Sequence, residues 1–263
     1  LAAYNHALRL HPHDTDTLLN LGNLLHEQGD LQKALAVYEQ ILNHHPANPR
    51  ALNNIGKTYY DQGDIDTAIK YYNQSIQQDP EYAEARFNRA VALLLKGDLV
   101  KGWAEYEWRF KRHSAHNVYP HALSGRRWDG SPYHGDRLLV HCEQGLGDVL
   151  HFCRYLPMVK ALGGTVILEA QQQLLPLMQT MTAIDELIGF NPNTPPAVRY
   201  DRYIPLLSLP LLMKTTLAKV PTNIPYLHAD PKRTAAWRNR LPEGGLRVGL
   251  VWSGSETDPQ RAC

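Results

Sequence analysis

A period of 34 residues in the first 112 positions constrains the fold of this chain more than any other feature of its sequence. Each repeating unit needs small residues where two antiparallel helices cross, a glycine that ends the first helix and an aspartate that caps the second. Stacked units of this kind form a solenoid with a concave face. The recurring positions are Tyr4, Tyr38, Tyr72 and Tyr106, Pro12, Pro46 and Pro80, and the Gly-Asp pairs at 29–30, 63–64 and 97–98.

This pattern resembles the tetratricopeptide repeat (TPR), a pair of helices that stacks into α-solenoids. The resemblance implies a partial repeat over 1–14 and further repeats over 15–48, 49–82 and 83–112. Within them the sequence predicts helices near 15–28, 31–44, 49–62, 65–78, 83–96 and 99–112, with Leu1–Leu10 as the second helix of an earlier repeat.

Asparagines on the first helix of each repeat are predicted to line the concave face. Asn20, Asn54 and Asn88 lie 34 residues apart. A side-chain amide offers both a donor and an acceptor, so it can pair with the backbone of an extended peptide. In other TPR arrays such asparagine ladders hold peptides, which implies a protein or peptide partner here. The alternative is a solvated position that merely tolerates a polar residue.

The last repeat is unusually aromatic and predicts a contact with the next part of the chain. Trp103, Trp108 and Phe110 follow one another in its second helix, and no proline stands at Ser114 to continue the array. Large rings at the end of a solenoid need a surface to bury them. We expect these rings to dock the following domain; ordinary packing between repeats is the alternative.

After a predicted linker over 113–136, strands alternate with helices. Short apolar runs predict strands at 137–140, 165–168, 186–190, 202–205 and 247–252, and helices are expected from Asp148, at 171–180 and at 231–241. This alternation indicates a parallel, doubly wound sheet. The predicted fold class is therefore an α-solenoid followed by a Rossmann-like α/β domain over 137–241, with 242–263 opening a second one.

The stretch from Val140 to Pro157 has the organisation of a ligand site. A strand leads into the turn Gly145-Leu146-Gly147, and Asp148 then opens a helix. Ligands collect outside the carboxyl ends of parallel strands. Leu150 occupies the place of a third glycine, which argues against a dinucleotide fingerprint. As an N-cap, the Asp148 carboxylate would repel a phosphate but could accept a proton from a hydroxyl.

The stretch EQGLGDVLHFCRYLP (143–157), with RRWDG before it and PLLSLP and IPYL after it, resembles a bacterial family. Its members are TPR proteins with a heptosyltransferase-like glycosyltransferase module, and the resemblance runs from Leu1 to about Gly254. It implies a two-domain GT-B fold, of which this chain holds the repeats, the acceptor-side domain and the start of the donor-side domain. The chain starts inside a repeat and stops just after a predicted strand, so both ends are expected to continue.

The same resemblance assigns residue roles. Asp148 would be the general base that deprotonates an acceptor hydroxyl, on a glycan or a protein, with inversion at the sugar carbon. A nucleotide-sugar donor is expected for the full-length protein, whereas this piece is expected to bind no cofactor and to be inactive. The acceptor-site loop would be Glu143, Gln144, Gly145, Gly147 and Arg154, and the donor-phosphate loop Ser253, Gly254 and Ser255. Glu256 and Asp258 beside that loop suit phosphate poorly, so the alternative is a non-catalytic TPR scaffold for protein interactions.

Composition excludes several other classes. A net charge of +1 provides no field to recruit nucleic acid. Three cysteines form no C-x-x-C pair, which argues against a disulfide framework and favours a reducing cytoplasm. His141, Cys142, His151 and Cys153 follow no zinc spacing, so no metal is expected.

The most apolar stretch also argues against a membrane span. Tyr203 to Met213 is 11 residues long and is broken by Pro205 and Pro210. About 20 apolar residues are needed for a helix to cross a bilayer.

Overall fold

The repeats form the predicted pairs of helices. In this computed structural model, residues 1–113, 119–143, 145–241 and 244 are described. The sequence prediction of the repeat helices is confirmed to within one or two residues, except that the last one ends early and continues as a 3₁₀ turn, Glu107–Lys111. The helices are α1 Ala2–Leu10, α2 Thr15–Glu27, α3 Leu31–His44, α4 Pro49–Asp61, α5 Ile65–Gln78, α6 Ala83–Leu95 and α7 Leu99–Tyr106.

Local chemistry sets the ends of these helices. Gly63 ends the turn after α4 with φ of +84°, a conformation that side chains disfavour. The next residue, Asp64, then caps α5 by accepting a hydrogen bond from the backbone N–H of Thr67 at 3.1 Å. Asp98 does the same for α7 through the N–H of Lys101 at 3.3 Å. The predicted roles of the Gly-Asp pairs are thus confirmed at these two repeats.

The two helices of a repeat can approach closely where they cross because a glycine, which has no side chain, lies at the crossing point. A Cβ built at Gly56 would lie 2.7 Å from Cε1 of Tyr72, closer than real side-chain contacts. Tyr72 is buried against this glycine, and Tyr38 is buried against Gly22 in the preceding repeat. The recurring glycines and tyrosines of the period are therefore one packing unit, since the ring fills the space that the glycine leaves.

The α/β part contains a five-stranded, fully parallel sheet in the order β1-β5-β2-β3-β4. The predicted parallel sheet is confirmed, whereas its assignment as Rossmann-like stays a prediction because the intervening helices are short. The strands are β1 Arg126–Arg127, β2 Arg137–His141, β3 Thr165–Ala170, β4 Glu186–Gly189 and β5 Arg202–Pro205. The helices are α8 Leu146–Phe152, α9 Leu156–Lys160, α10 Leu175–Met178 and α11 Leu209–Leu212.

Of the stretch predicted as a linker, residues 119–136 are described and pack against the sheet. Within 113–136, β1 pairs with β5, and the side chains of Trp128 and Tyr133 are buried. Trp128 Nε1 donates to the carbonyl of Ser131 at 2.8 Å, and the Tyr133 hydroxyl donates to the carbonyl of Val159 at 3.1 Å. The described residues 119–136 therefore contribute a strand and buried side chains to the sheet and its core.

Residues 1–227 form one compact unit. The apolar core of the sheet includes Val140, Val166 and Ile204, and it is continuous with Ala90 and Tyr106 of the solenoid. Residues 228–263 form a second unit, in which α12, Pro231–Arg238, begins at an Asp230 cap and lies within the predicted helix 231–241. The predicted strand 247–252 lies outside the described residues.

Candidate functional site

The concave face of the solenoid holds a cavity of about 270 Å³, here called the groove cavity. Asn54 and Asn88 line it, as predicted, but Asn20 is exposed and lies outside the lining. Asn23, three residues along α2, takes the place expected for Asn20. The lining residues are Asn23, His26, Glu27, Tyr38, Asn53, Asn54, Lys57, Tyr82, Glu84, Asn88 and Arg112.

Side-chain amides of successive repeats are joined by hydrogen bonds across this cavity. Asn54 Nδ2 donates to Asn23 Oδ1 at 2.9 Å, and Asn88 Nδ2 donates to Asn53 Oδ1 at 2.9 Å. Asn53 Nδ2 donates in turn to Asn54 Oδ1 at 3.2 Å, so the chain of amides is continuous. The 34-residue spacing identified two of its members and missed the neighbouring positions that complete it.

Charges of both signs surround these amides. Lys57 and Arg112 lie with Glu27 and Glu84 in the lining. His26 contacts Asp61 at 2.8 Å, and burial together with nearby Lys57 lowers the pKa of His26. The groove is polar and carries no strong excess of one sign.

Two of the three predicted docking rings contact the α/β part of the chain: Trp103, and Phe110, whose ring centroid lies 5.1 Å from the Arg127 guanidinium. Trp103 packs edge-on against Phe152 of α8, with ring centroids 5.5 Å apart. Trp108 instead lies between two cations of the solenoid, Arg86 at 4.4 Å and Lys111 at 3.9 Å from the ring centroid. The docking prediction is therefore confirmed for Trp103 and Phe110 and wrong for Trp108, which packs against residues of its own repeat.

A buried charged cluster fixes the same junction. Arg109 and Glu143 have side chains that are 2% and 0% exposed, and Arg109 Nη2 donates to both Glu143 oxygens, at 2.9 and 3.0 Å. Arg109 Nη1 also donates to Glu107 at 2.7 Å. Arg127 pairs with Glu107 on its other side, and the Ser208 hydroxyl donates to Glu107 at 2.8 Å. We call these five residues the charged cluster.

The cluster displaces the pKa of each carboxyl in its own way. Burial raises the pKa of Glu143 to about 7, although Arg109 opposes this. Glu107 is also buried, but Arg109 and Arg127 together hold its pKa below the usual range. The predicted acceptor-loop residue Glu143 is thus occupied as a partner of Arg109, and it also accepts from the N–H of Leu207 at 3.3 Å.

The predicted catalytic turn lies at the carboxyl end of β2. Helix α8 begins at Leu146 with Gly145 as its N-cap, so the expectation that Asp148 is the N-cap is wrong. Asp148 is the third helical residue, and its carboxylate accepts from the N–H of Gly145 at 3.0 Å. A Cβ on Gly147 would meet no described atom within 4 Å, so this turn faces open space.

The remaining predicted site residues fall into two groups. Arg154 contacts Tyr226: its guanidinium lies 4.7 Å from the Tyr226 ring centroid and donates to the Tyr226 hydroxyl at 3.0 Å. Gln144 and the donor-phosphate loop Ser253, Gly254 and Ser255 lie outside the described residues.

A second cavity, of about 390 Å³, opens at the carboxyl ends of β2 and β5. We call it the ring cavity, because five of its lining side chains are rings. Among the described residues that line it, Asp148 and Gly145 do not appear. The lining residues are Phe110, Tyr119, His121, Ala122, Leu123, Arg127, His141, Tyr203 and Pro205.

Two further observations concern metals and membranes. In the described ranges, no group of three or more histidine, cysteine, aspartate or glutamate side chains is placed to hold a metal ion. No helix of the described part of the chain has the length and apolar character needed to traverse a bilayer.

Comparison with protein families identifies the repeats. Residues 14–81 and 71–104 match families described as tetratricopeptide repeats. These ranges include helices α2 to α6 and most of α7, so the predicted TPR solenoid is confirmed.

One curated relative and several solved structures are similar to parts of the chain. Protein FlbA of Caulobacter vibrioides is 29% identical over an alignment of 199 residues, and the match covers 69% of this chain and 33% of FlbA. The chain thus spans about a third of the length of this relative. The MamA protein is 21% identical over 42% of this chain and 60% of its own, with a TM-score of 0.36. The first TPR of Spaghetti (RPAP3), bound to the HSP90 peptide SRMEEVD, is 22% identical over 38% of this chain and 82% of its own, with a TM-score of 0.35.

Proposed function

We propose that this chain is a protein-interaction scaffold whose TPR groove binds an extended segment of a partner protein. The observation that carries the proposal is the continuous row of amides from Asn23 to Asn88 across the groove cavity. TPR solenoids present such concave surfaces for binding.

The asparagine amides of the groove cavity still have hydrogen-bond donors and acceptors that a ligand can use. Asn54 uses one N–H toward Asn23 and one oxygen lone pair toward Asn53. A primary amide has two N–H donors and two acceptor sites, so half of its capacity is left. A peptide backbone offers one donor and one acceptor per residue, which matches that capacity. Because Lys57 and Glu84 both line the groove cavity, the partner segment should be polar and carry both signs of charge.

The test is a binding measurement with matched asparagine variants. A peptide selected from an array against the wild-type chain is titrated against Asn54→Ala/Asn88→Ala and against Asn20→Ala. Two lost amide contacts should weaken binding by more than about 1 kcal/mol, since each hydrogen bond contributes about 0.5 to 1.5 kcal/mol. Asn20→Ala should bind like the wild type, because Asn20 is exposed outside the cavity. Equal affinities of the double variant and the wild type would refute the groove as the binding surface.

A second candidate function is glycosyl transfer by the longer protein of which this chain would be a part. The observation that favours it is the exposed Gly145–Asp148 turn at the carboxyl end of β2, where a ligand can approach. In this proposal the Asp148 carboxylate takes the proton of an acceptor hydroxyl on a glycan or protein. The hydroxyl oxygen bonds to the anomeric carbon, and the nucleotide diphosphate of a nucleotide-sugar donor leaves with the electron pair.

Asp148→Asn in the full-length protein tests this role. The asparagine oxygen can still accept from the N–H of Gly145, so the turn is kept while the base is lost. General-base assistance contributes about 10² to 10⁴ in rate, so turnover should fall by that factor. We expect the 263-residue piece to be inactive in either form. Wild-type turnover by a folded full-length Asp148→Asn protein would leave Asp148 with its capping role alone.

A further inference from the structure

The ring cavity has no part in either proposed function, yet it has the composition of a built ligand site. Three separate segments contribute to it: Phe110 from the end of the solenoid, Tyr119 and His121 from the segment before β1, and His141 and Tyr203 from the sheet. Its volume of about 390 Å³ falls in the range of small-molecule pockets. We propose that the ring cavity binds a small uncharged heteroaromatic ring that carries an N–H donor, of the nucleobase or nucleoside type.

The aromatic lining supports a planar ligand. Tyr119 stacks at a tilt on His141, with centroids 4.0 Å apart, and Tyr203 lies next to His141 at 6.3 Å. Phe110 brings a further ring from the solenoid, with the Arg127 guanidinium 5.1 Å from its centroid. Flat nitrogen heterocycles stack favourably on such faces, and base-aromatic stacking tolerates different bases because every base has a π-face.

The charges around the cavity favour a neutral ligand. Arg127 is the cation in the lining, and it already pairs with Glu107 and donates to the Ser208 hydroxyl at 3.1 Å. The buried Glu169 carboxylate accepts from the Tyr119 hydroxyl at 2.6 Å. Because Arg127 already has Glu107 as its charged partner and Glu169 is itself acidic, an anionic group would find a poor partner here.

His141 supplies the polar contact that selects a donor. Its Nδ1 lies 3.2 Å from the carbonyl oxygen of Cys142, and a carbonyl can only accept, so the proton belongs on Nδ1. Burial lowers the pKa of His141 to about 4, which keeps the imidazole neutral at pH 7. Nε2 is then an acceptor, and it pairs with an N–H of the ligand.

The experiment titrates the wild-type chain with adenosine, guanosine, cytidine and uridine by calorimetry, with ribose as the control that lacks a base. At least one nucleoside should bind saturably, whereas ribose should not. In the same samples, nitrogen NMR of the histidine rings should show the Nε2 signal of His141 move on binding. This readout needs no substitution, so it holds even if a variant fails to fold.

Two substitutions then locate the ligand. Tyr203→Leu removes a stacking face and should weaken binding at least about fivefold, as expected for the loss of one base-aromatic stack. Trp237→Leu removes an exposed ring outside the cavity and should leave the affinity unchanged. Failure of all four nucleosides to bind, an unmoved His141 signal, or an equal loss in Trp237→Leu would each overturn the proposal.

Discussion

Burial shifts the pKa values of two neighbouring side chains at the end of β2, those of His141 and Glu143, in opposite directions. His141 has a folded-state pKa of about 4, below its ordinary value of 6.5, because burial penalises its charged form. Glu143 has a folded-state pKa of about 7, above its ordinary value of 4.5, for the same reason. His141 therefore contributes stability above pH 6.5 that is lost as the pH falls toward 4. Glu143 contributes stability below pH 4.5 that is lost as the pH rises through 7.

The two contributions should offset each other between pH 4.5 and 6.5 in the wild-type chain, and single substitutions should separate them. His141→Phe removes the histidine titration, so its free energy of unfolding should fall with rising pH by up to about 1.4 kcal/mol per unit relative to the wild type. Glu143→Gln should show the opposite change in slope. Urea unfolding at half-unit pH intervals measures both.

The two substitutions control each other, because they should change the slope of the unfolding free energy against pH in opposite directions. Parallel pH profiles for wild type, His141→Phe and Glu143→Gln would show that the two buried groups do not titrate as proposed.

At the scale of elements, two tryptophans of the last repeat should contribute differently to the contact between the solenoid and the sheet core. Trp103 packs on Phe152 of α8, whereas Trp108 contacts Arg86 and Lys111 within the repeats. Trp103→Ala should cost about 3 kcal/mol of unfolding free energy and expose residues 119–136 to limited proteolysis. Trp108→Ala should cost about 1 kcal/mol, as expected for lost cation-π contacts, without faster cleavage there.

The comparison between these two tryptophans distinguishes docking from repeat packing. If both substitutions accelerated cleavage equally, the junction would depend on the whole helix and Trp103 would have no special part.

The repeat helices could be predicted closely because their determinants are local. Gly63 and Asp64 act on residues within one turn of the helix ends, and the 34-residue period repeats that signal. Strand β1 was missed because Arg126 and Arg127 carry no apolar alternation, and only pairing with the distant β5 makes them a strand. The sequence likewise predicts the helix that carries Trp103 and Trp108. Which of these two rings faces α8 depends on the rotation of that helix about its own axis.

At the scale of the molecule, Arg109 joins the solenoid to the sheet, and its removal should uncouple them. Arg109→Met leaves Glu143 buried without its partner, which should cost about 3 to 5 kcal/mol. We expect a second transition to appear in urea unfolding when it is followed separately by Trp103 and Trp128 fluorescence. The double variant Arg109→Met/Glu143→Leu should recover much of the loss, because it removes both charges together.

Arg89→Met is the matched control for this substitution. Arg89 pairs with Glu105 inside the solenoid, and both side chains are only partly buried. It should cost about 1 kcal/mol or less and leave the unfolding cooperative. A cooperative, near wild-type transition for Arg109→Met would contradict the role of the cluster.

The candidate sites were predictable only where sequence spacing carried the information. The groove asparagines Asn54 and Asn88 share the period of the repeats, so they were found from the sequence. The charged cluster and the ring cavity cannot be found from the sequence in this way. Arg109 contacts Glu143, which is 34 residues further along the chain, and Ser208, which is 99 residues further, and no periodic pattern connects these positions. The family resemblance assigns Glu143 to an acceptor loop, and nothing local in the sequence indicates that Arg109 pairs with it.

The strand order has a consequence for the protein while it is being made on the ribosome. Each repeat contacts mainly its sequence neighbours, so helices α1 to α7 can pack as soon as they emerge. Strand β5 lies between β1 and β2, so β1 gains its only strand neighbour in the described sheet once Pro205 has left the exit tunnel. Until the sheet has formed, the nascent solenoid would expose Trp103 and Arg109 without their partners in the α/β part, Phe152 and Glu143. We therefore expect a ribosome-associated chaperone to cover this surface of the solenoid.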